Sequence, residues 1–170
     1  MTDQSSRPIV TRQAFPRSEG RWRESAGSAG WLMQLLRGLI DGQRAYGGPF
    51  YVELSITTLC NQSCLGCPYH SSVNRSLLYP SAGTDHMPLR QIEKLSEELR
   101  RLGTREIIIT GQGEPFLHPR LFDIVSLFKR AGFCVHLFTN GTLLDETNAG
   151  QLIDSGLDIL RVSLWAASPE

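Results

Sequence analysis

Hydrophobic positions along this chain change period several times, from helical spacing to strict alternation and back. Trp31, Leu32, Leu35, Leu36 and Ile40 recur at helical spacing, which predicts an amphipathic helix over residues 30–45, ended by Gly47, Gly48 and Pro49. From Phe50 to Thr57 the pattern alternates: Val52, Leu54 and Ile56 share one face, and Glu53, Ser55 and Thr57 the other. A long polar segment comes next. Leu89, Ile92, Leu95, Leu99 and Leu102 then mark one face of a helix over 88–102, capped by Gly103. Arg105 to Thr110 reads as a short buried strand centred on three isoleucines. The turn Gly111 to Pro115 leads to a helix expected to start at Pro119, with Leu121, Val125 and Phe128 facing the core.

A third strand, Phe133 to Thr139, ends in Asn140-Gly141, a good turn pair. A helix from Asp145 to Gly156 and a fourth strand from Leu157 to Trp165 complete the series. In that strand Arg161, Ser163 and Trp165 share one face, and Leu160, Val162 and Leu164 the other. The apolar face is expected against the helices and the polar face inward. Ser168-Pro169-Glu170 has the N-cap and first-turn residues of one more helix.

Alternation of strand and helix predicts an α/β fold with a parallel sheet and helical crossovers. One unit of a βα barrel takes about 30 residues, so residues 50–170 hold about four units of a partial barrel. The expected organisation is a disordered leader over 1–29, an amphipathic helix over 30–48 and a core domain over 49–170. The leader is rich in Ser, Gly and Arg. A transit peptide is disfavoured there by Asp3, Glu19 and Glu24. A helix start at the very end of the chain implies a fragment of a longer protein, with a naturally short form completed by a partner as the alternative.

Composition narrows the function classes. Lys+Arg and Asp+Glu are 17 each, so bulk charge offers nothing to nucleic acid or an anionic membrane. Hydrophobic residues make up 41%, the share of an ordinary globular domain, without a run long enough to span a bilayer. The expected compartment is the cytoplasm. Of the four cysteines, Cys60, Cys64 and Cys67 are packed into eight residues, whereas Cys134 stands in an apolar stretch and reads as a plain buried thiol.

The triplet has the spacing C-x3-C-x2-C directly after the first strand, and parallel βα folds place ligand sites at the carboxyl ends of strands. Three thiolates can hold three irons of a cubane and leave the fourth open to a ligand. His70 lies close by, so a structural zinc site of Cys60, Cys64, Cys67 and His70 is an equal reading of these residues alone.

The ordered set of motifs separates the two. The triplet resembles the signature of the radical S-adenosylmethionine (radical SAM) superfamily. Thr110-Gly111-Gln112-Gly113-Glu114-Pro115 is similar to that family's Gly-Gly-Glu-Pro motif, and Phe116-Leu117-His118-Pro119 resembles the run that commonly succeeds that motif. Val135 to Leu144, with its Thr-Asn-Gly turn, resembles the family's third strand, and Arg161-Val162-Ser163-Leu164 its fourth. The resemblance implies about four units of a normally six-unit barrel, with a [4Fe-4S] cluster on Cys60, Cys64 and Cys67. It implies S-adenosylmethionine on the open iron, cleaved by one electron to methionine and a 5′-deoxyadenosyl radical that takes hydrogen from substrate. A one-electron donor such as flavodoxin or ferredoxin is the implied partner, with a peptide or small molecule as substrate. Gly111, Gly113, Glu114 and Pro115 are the implied edge for the methionyl ammonium, with Glu114 either holding the turn or complementing that charge. Ser163 is the implied contact for the ribose. Two residues depart from the pattern: Gln112 replaces a glycine, and Gly66 an aromatic, with Tyr69 nearby.

Outside the motifs, Arg161 and Glu53 are expected to form an ion pair on the inner face. His70 is expected to be a loop residue rather than a group supporting the cluster ligands, His118 to serve the start of a helix, and His136 to be a satisfied core histidine rather than one facing the lumen. A zinc-stabilised binding module and a truncated, inactive scaffold are the rival functions. Contacts from later strands are implied by the family, so this chain alone is expected to be poorly active.

Overall fold

The computed structural model describes residues 27–73 and 86–164. Trp165 and the Ser168-Pro169-Glu170 helix start lie outside the described residues, as does the leader up to residue 26. The elements in chain order are α1 (Gly27–Asp41), β1 (Tyr51–Leu54), α2 (Leu89–Leu102), β2 (Glu106–Ile109), α3 (Leu121–Arg130), β3 (Cys134–Thr139), α4 (Glu146–Asp154) and β4 (Ile159–Val162). The four strands form one parallel sheet in the order β1-β2-β3-β4. This is the α/β arrangement the alternating pattern predicts.

The isoleucine run explains the centre of the sheet. Ile107 and Ile109 on β2, with Val135 and Leu137 on β3, point to the helical side and are fully buried. Ile92 and Leu99 of α2, Ile124, Val125 and Phe128 of α3, and Leu152 of α4 cover them. Leu102 departs from the expected face of α2 and is half exposed, because the helix ends there. Gly103 comes next, in the left-handed region at φ 82°, where glycine carries no Cβ penalty, and its N–H closes on Arg100 O.

The helix expected at Pro119 starts two residues later. A 3-10 turn, Pro115–Leu117, comes first, and α3 begins at Leu121. His118 organises that start, as expected. Its Nδ1 accepts from Arg120 N at 3.1 Å and its Nε2 bonds Met87 O at 3.0 Å. An imidazole that accepts at one nitrogen and donates at the other is neutral. Burial likewise holds its pKa below the ordinary histidine value, aided by His86 and Arg120 and opposed by the Met87 bond.

In-register partners on a parallel sheet share a face. Glu53, Ile108 and His136 therefore lie on the inner side, and so do Phe138 and Arg161. The expected Glu53–Arg161 ion pair does not form. β1 and β4 are the two edges of the sheet, three strand spacings or roughly 14 Å apart, beyond the reach of a salt bridge. Arg161 instead stacks on the Phe138 ring, 5.2 Å from its centroid. His136 is buried as expected but not satisfied. Its Nε2 lies 3.5 Å from Cys134 Sγ and 3.9 Å from Glu106 Oε2, while its Nδ1 has no partner.

Two apolar stripes remain uncovered among the described residues. On β4 and just beyond it, Leu160, Val162 and Leu164 are exposed rather than packed on helices. On α1, Leu32, Leu35, Leu36 and Ile40 are exposed too, while Trp31 anchors the helix through Gly48 O and an edge-on contact with Phe50. No helix among the described residues is long and apolar enough to cross a membrane.

The contrast between covered and uncovered apolar positions gives a direct test. Ile107→Ala, at a fully buried site, is expected to cost about 2–5 kcal/mol in urea unfolding. Leu164→Ala, at a site 82% exposed, is expected to stay within about 0.5 kcal/mol of the parent.

Candidate functional site

All four strands run the same way, so the segments after them meet at one edge of the sheet. After β1 comes the cysteine loop, after β2 the turn Gly111 to Pro115, after β3 Asn140, and after β4 Ser163. Together they line a cleft of about 370 Å³. Cys60, Cys64 and Cys67 form one side with Tyr69 and His70, and Gly111, Gln112, Gly113, Glu114 and Pro115 the other. Phe138, Thr139, Asn140 and Ser163 also line it. Arg161 and Glu53 are not among its lining residues.

The Gly-rich turn lies hard against the base of the cysteine loop. Glu114 N donates to Leu59 O at 2.7 Å. A Cβ on Gly113 would lie 2.3 Å from Leu59 O and 2.7 Å from Thr57 O. Gly111 adopts φ 114°, and a Cβ there would lie 2.7 Å from Ser55 Cβ. At both glycines the close approach is made by the chain's own backbone and by Ser55.

Glu114 holds this turn. It is buried, and its Oε1 accepts from Thr139 Oγ1 at 2.7 Å and from Phe116 N at 3.3 Å. Its Oε2 accepts from Asn140 N at 2.8 Å. One carboxylate thus joins the turn after β2 to the end of β3, and three donors compensate its burial.

Within the cysteine loop, Cys67 Sγ accepts from Tyr69 N at 3.4 Å and His70 N at 3.3 Å. Gln62 Oε1 lies 3.5 Å from Cys64 Sγ, as a thiol acceptor. Asn61, beside Cys60, donates to Thr142 Oγ1 and accepts from Asn140 Nδ2, both at 2.8 Å. Thr142 Oγ1 in turn donates to Asn140 Oδ1 at 2.7 Å, which closes a ring of three side chains. His70 Nε2 bonds Gln112 O at 2.9 Å. Sequence reasoning favoured a plain loop role for His70 over one beside the cluster, and missed Asn61 and Ser55. Each makes its contact with a residue tens of positions away, so local spacing carries no signal for it.

A scan against family models matches residues 54–170 to the radical SAM superfamily. The chain belongs to the radical SAM superfamily. Among its relatives, it is 34% identical over 130 residues to a probable GTP 3′,8-cyclase of Methanothermobacter thermautotrophicus, covering 75% of this chain and 39% of that one. It is 31% identical to the tungsten-containing aldehyde ferredoxin oxidoreductase cofactor-modifying protein of Pyrococcus furiosus, covering 67% and 30% of the two chains. The chain therefore spans less than two-fifths of the length of these relatives. Two solved structures share the fold. BtrN in complex with AdoMet and 2-DOIA has a TM-score of 0.59 at 23% identity, covering 72% of this chain and 48% of that one. Streptococcus suis SuiB bound to S-adenosylmethionine has 0.58 at 16%, covering 78% and 28%. With the four-stranded parallel sheet, these neighbours make the fold a partial radical SAM barrel.

The cofactors of this superfamily are a [4Fe-4S] cluster and S-adenosylmethionine, and the residues present suit both. The three cysteine sulfurs line one cleft, and backbone N–H groups point at Cys67 Sγ, as they do toward thiolates that carry charge. Among the described residues no three His, Cys, Asp or Glu side chains converge closely enough to hold a single metal ion. A zinc site of these residues needs four ligands on one ion, and its candidate fourth, His70, has Nε2 engaged with Gln112 O. A cubane places each thiolate on its own iron and so accepts wider spacing.

Cys134 belongs to another setting. Burial, with the Asp158 and Glu106 carboxylates, pushes its thiol up to about 11. At pH 8 this leaves roughly a hundredfold less thiolate than an ordinary thiol has, so alkylation of Cys134 is expected to lag by about that factor. Mass spectrometry of iodoacetamide-treated peptides checks it. For the turn, Gly113→Ala is expected to destabilise by about 1–3 kcal/mol. The same change at Gly150, within α4 and with nothing near its Cβ position, is expected to stabilise by about 0.5–1 kcal/mol. Urea titrations of the two variants read opposite signs.

Proposed function

We propose that the chain holds a [4Fe-4S] cluster on Cys60, Cys64 and Cys67 and binds S-adenosylmethionine along Gly111, Gly113, Glu114 and Pro115. Ser163 serves the ribose from the end of β4. The observation that carries this reading is the single cleft in which a three-thiol loop faces a Gly-rich turn across the carboxyl edge of a parallel sheet. The cluster, when bound and reduced by a one-electron donor, supplies the electron that cleaves S-adenosylmethionine and so starts hydrogen abstraction from substrate.

The protein's share is positioning and shielding. Gly111 and Gly113 let the turn seat closely on the cysteine loop, so its free backbone carbonyls offer acceptors for an ammonium group. Glu114 fixes that turn to β3 and is spent on doing so. Its carboxylate accepts from Phe116 N, Asn140 N and Thr139 Oγ1, which favours the turn-holding role over charge complementation. Phe138 contributes an aromatic ring to the lining of the cleft.

The relatives of this chain carry names as different as GTP 3′,8-cyclase and AdoMet-dependent heme synthase. The reading therefore stops at radical generation, with a peptide or small molecule as the hydrogen donor.

The test is anaerobic reconstitution of residues 1–170 with iron and sulfide. A brown protein containing both, lost in Cys60→Ser, Cys64→Ser and Cys67→Ser, is the expected outcome. One zinc per chain instead overturns the reading. With dithionite and S-adenosylmethionine, slow release of methionine and 5′-deoxyadenosine is expected. A stable cluster that never cleaves S-adenosylmethionine identifies an inactive scaffold.

A further inference from the structure

Three of the four polar groups of His70 tie it to the cysteine loop and to the Gly-rich turn. Its backbone N–H donates to Cys67 Sγ at 3.3 Å. Its carbonyl accepts from Ser63 Oγ at 2.7 Å, within the cysteine loop. Its ring Nε2 bonds Gln112 O at 2.9 Å, across the cleft in the Gly-rich turn. A carbonyl only accepts, so Nε2 carries the proton and the ring is the donor.

The Gln112 peptide is thereby held from both sides. Its N–H donates to Ser55 Oγ at 3.1 Å, and its C=O accepts from His70. Gln112 is also where this chain departs from the glycine of the family motif. One side chain therefore joins the loop that carries the sulfurs to the turn whose backbone faces them. The spacing between those two walls decides whether a ligand touches both at once, and displacements of about 1 Å in such a site cost binding and rate steeply.

We propose that His70 is a positioning residue, which holds the Gly-rich turn at a fixed distance from the cysteine loop and so sets the affinity for S-adenosylmethionine. This rests on the cluster and cofactor reading given above. The role belongs to the Nε2–H donor and not to the bulk of the ring. A glutamine side chain places an amide N–H near the position of Nε2, whereas phenylalanine keeps a ring and has no donor.

The experiment uses reconstituted residues 1–170 with S-adenosylmethionine itself as probe. Affinity comes from equilibrium dialysis of the labelled compound, and the reduced cluster is followed by its electron paramagnetic resonance spectrum with and without the compound. His70→Phe is expected to keep the iron and sulfide content and the urea midpoint of the parent, yet to bind about five- to tenfold more weakly, with a smaller spectral change. His70→Gln is expected to bind within about twofold of the parent. Unchanged affinity in His70→Phe overturns the proposal, and so does equal weakening in both variants. Loss of the cluster in His70→Phe also overturns it, since His70 then serves only the fold of its own loop. Failure of the underlying reading shows earlier and separately, as a parent protein that takes up no iron or binds no S-adenosylmethionine, and it removes this proposal as well.

Discussion

The backbone contact between Gly113 and the Thr57–Leu59 segment is the constraint on which the rest of the site depends. Two loops that leave neighbouring strands ordinarily diverge, because each carries side chains. Here the second loop has no Cβ at the point of contact, and Glu114 N reaches Leu59 O directly. That bond fixes where the cysteine loop leaves the sheet. The Glu114 carboxylate then extends the same junction sideways to Thr139 and Asn140, so three strand ends are joined around one buried group. Removing a partner from such a group leaves an uncompensated buried charge, so the junction holds as a unit or fails as one.

The two faces of the sheet divide the work. On the helical face, apolar side chains of β1, β2 and β3 pack under α2, α3 and α4, and this layer supplies the stability. The opposite face carries Glu53, Glu106, Cys134, His136 and Arg161, a set that costs stability in any dry environment. His136 shows the tension plainly: buried, with one ring nitrogen unpartnered. Polar groups gathered on one face of a parallel sheet suit a surface that meets ligand and water rather than helices.

Much of this was legible in the sequence because period and punctuation are local. The alternation of Val52, Leu54 and Ile56, the isoleucines of β2 and the glycine after α2 each announce an element without reference to the rest of the chain. The strand-end motifs were legible as well, and parallel order alone brings them to one edge. What stayed hidden depends on distances between strands. Glu53 and Arg161 look like partners by charge and face, yet the sheet order sets two strands between them. His70, Asn61 and Ser55 find partners that no spacing rule relates to them. The start of α3 shifted because a 3-10 turn and the His118 ring take over the residues that a proline seemed to open.

The strand order β1-β2-β3-β4 is that of the chain itself. Every new βα unit is therefore added at one growing edge, and no strand has to insert between two that are already paired. Such a sheet can form progressively as the polypeptide leaves the ribosome. The sulfur-bearing loop, the turn it rests on and the Asn61–Asn140–Thr142 ring are all in place once residue 142 has emerged. The half of the cleft that carries the cysteine loop is thus encoded before residue 143, and the wall that carries Ser163 comes after it in the chain.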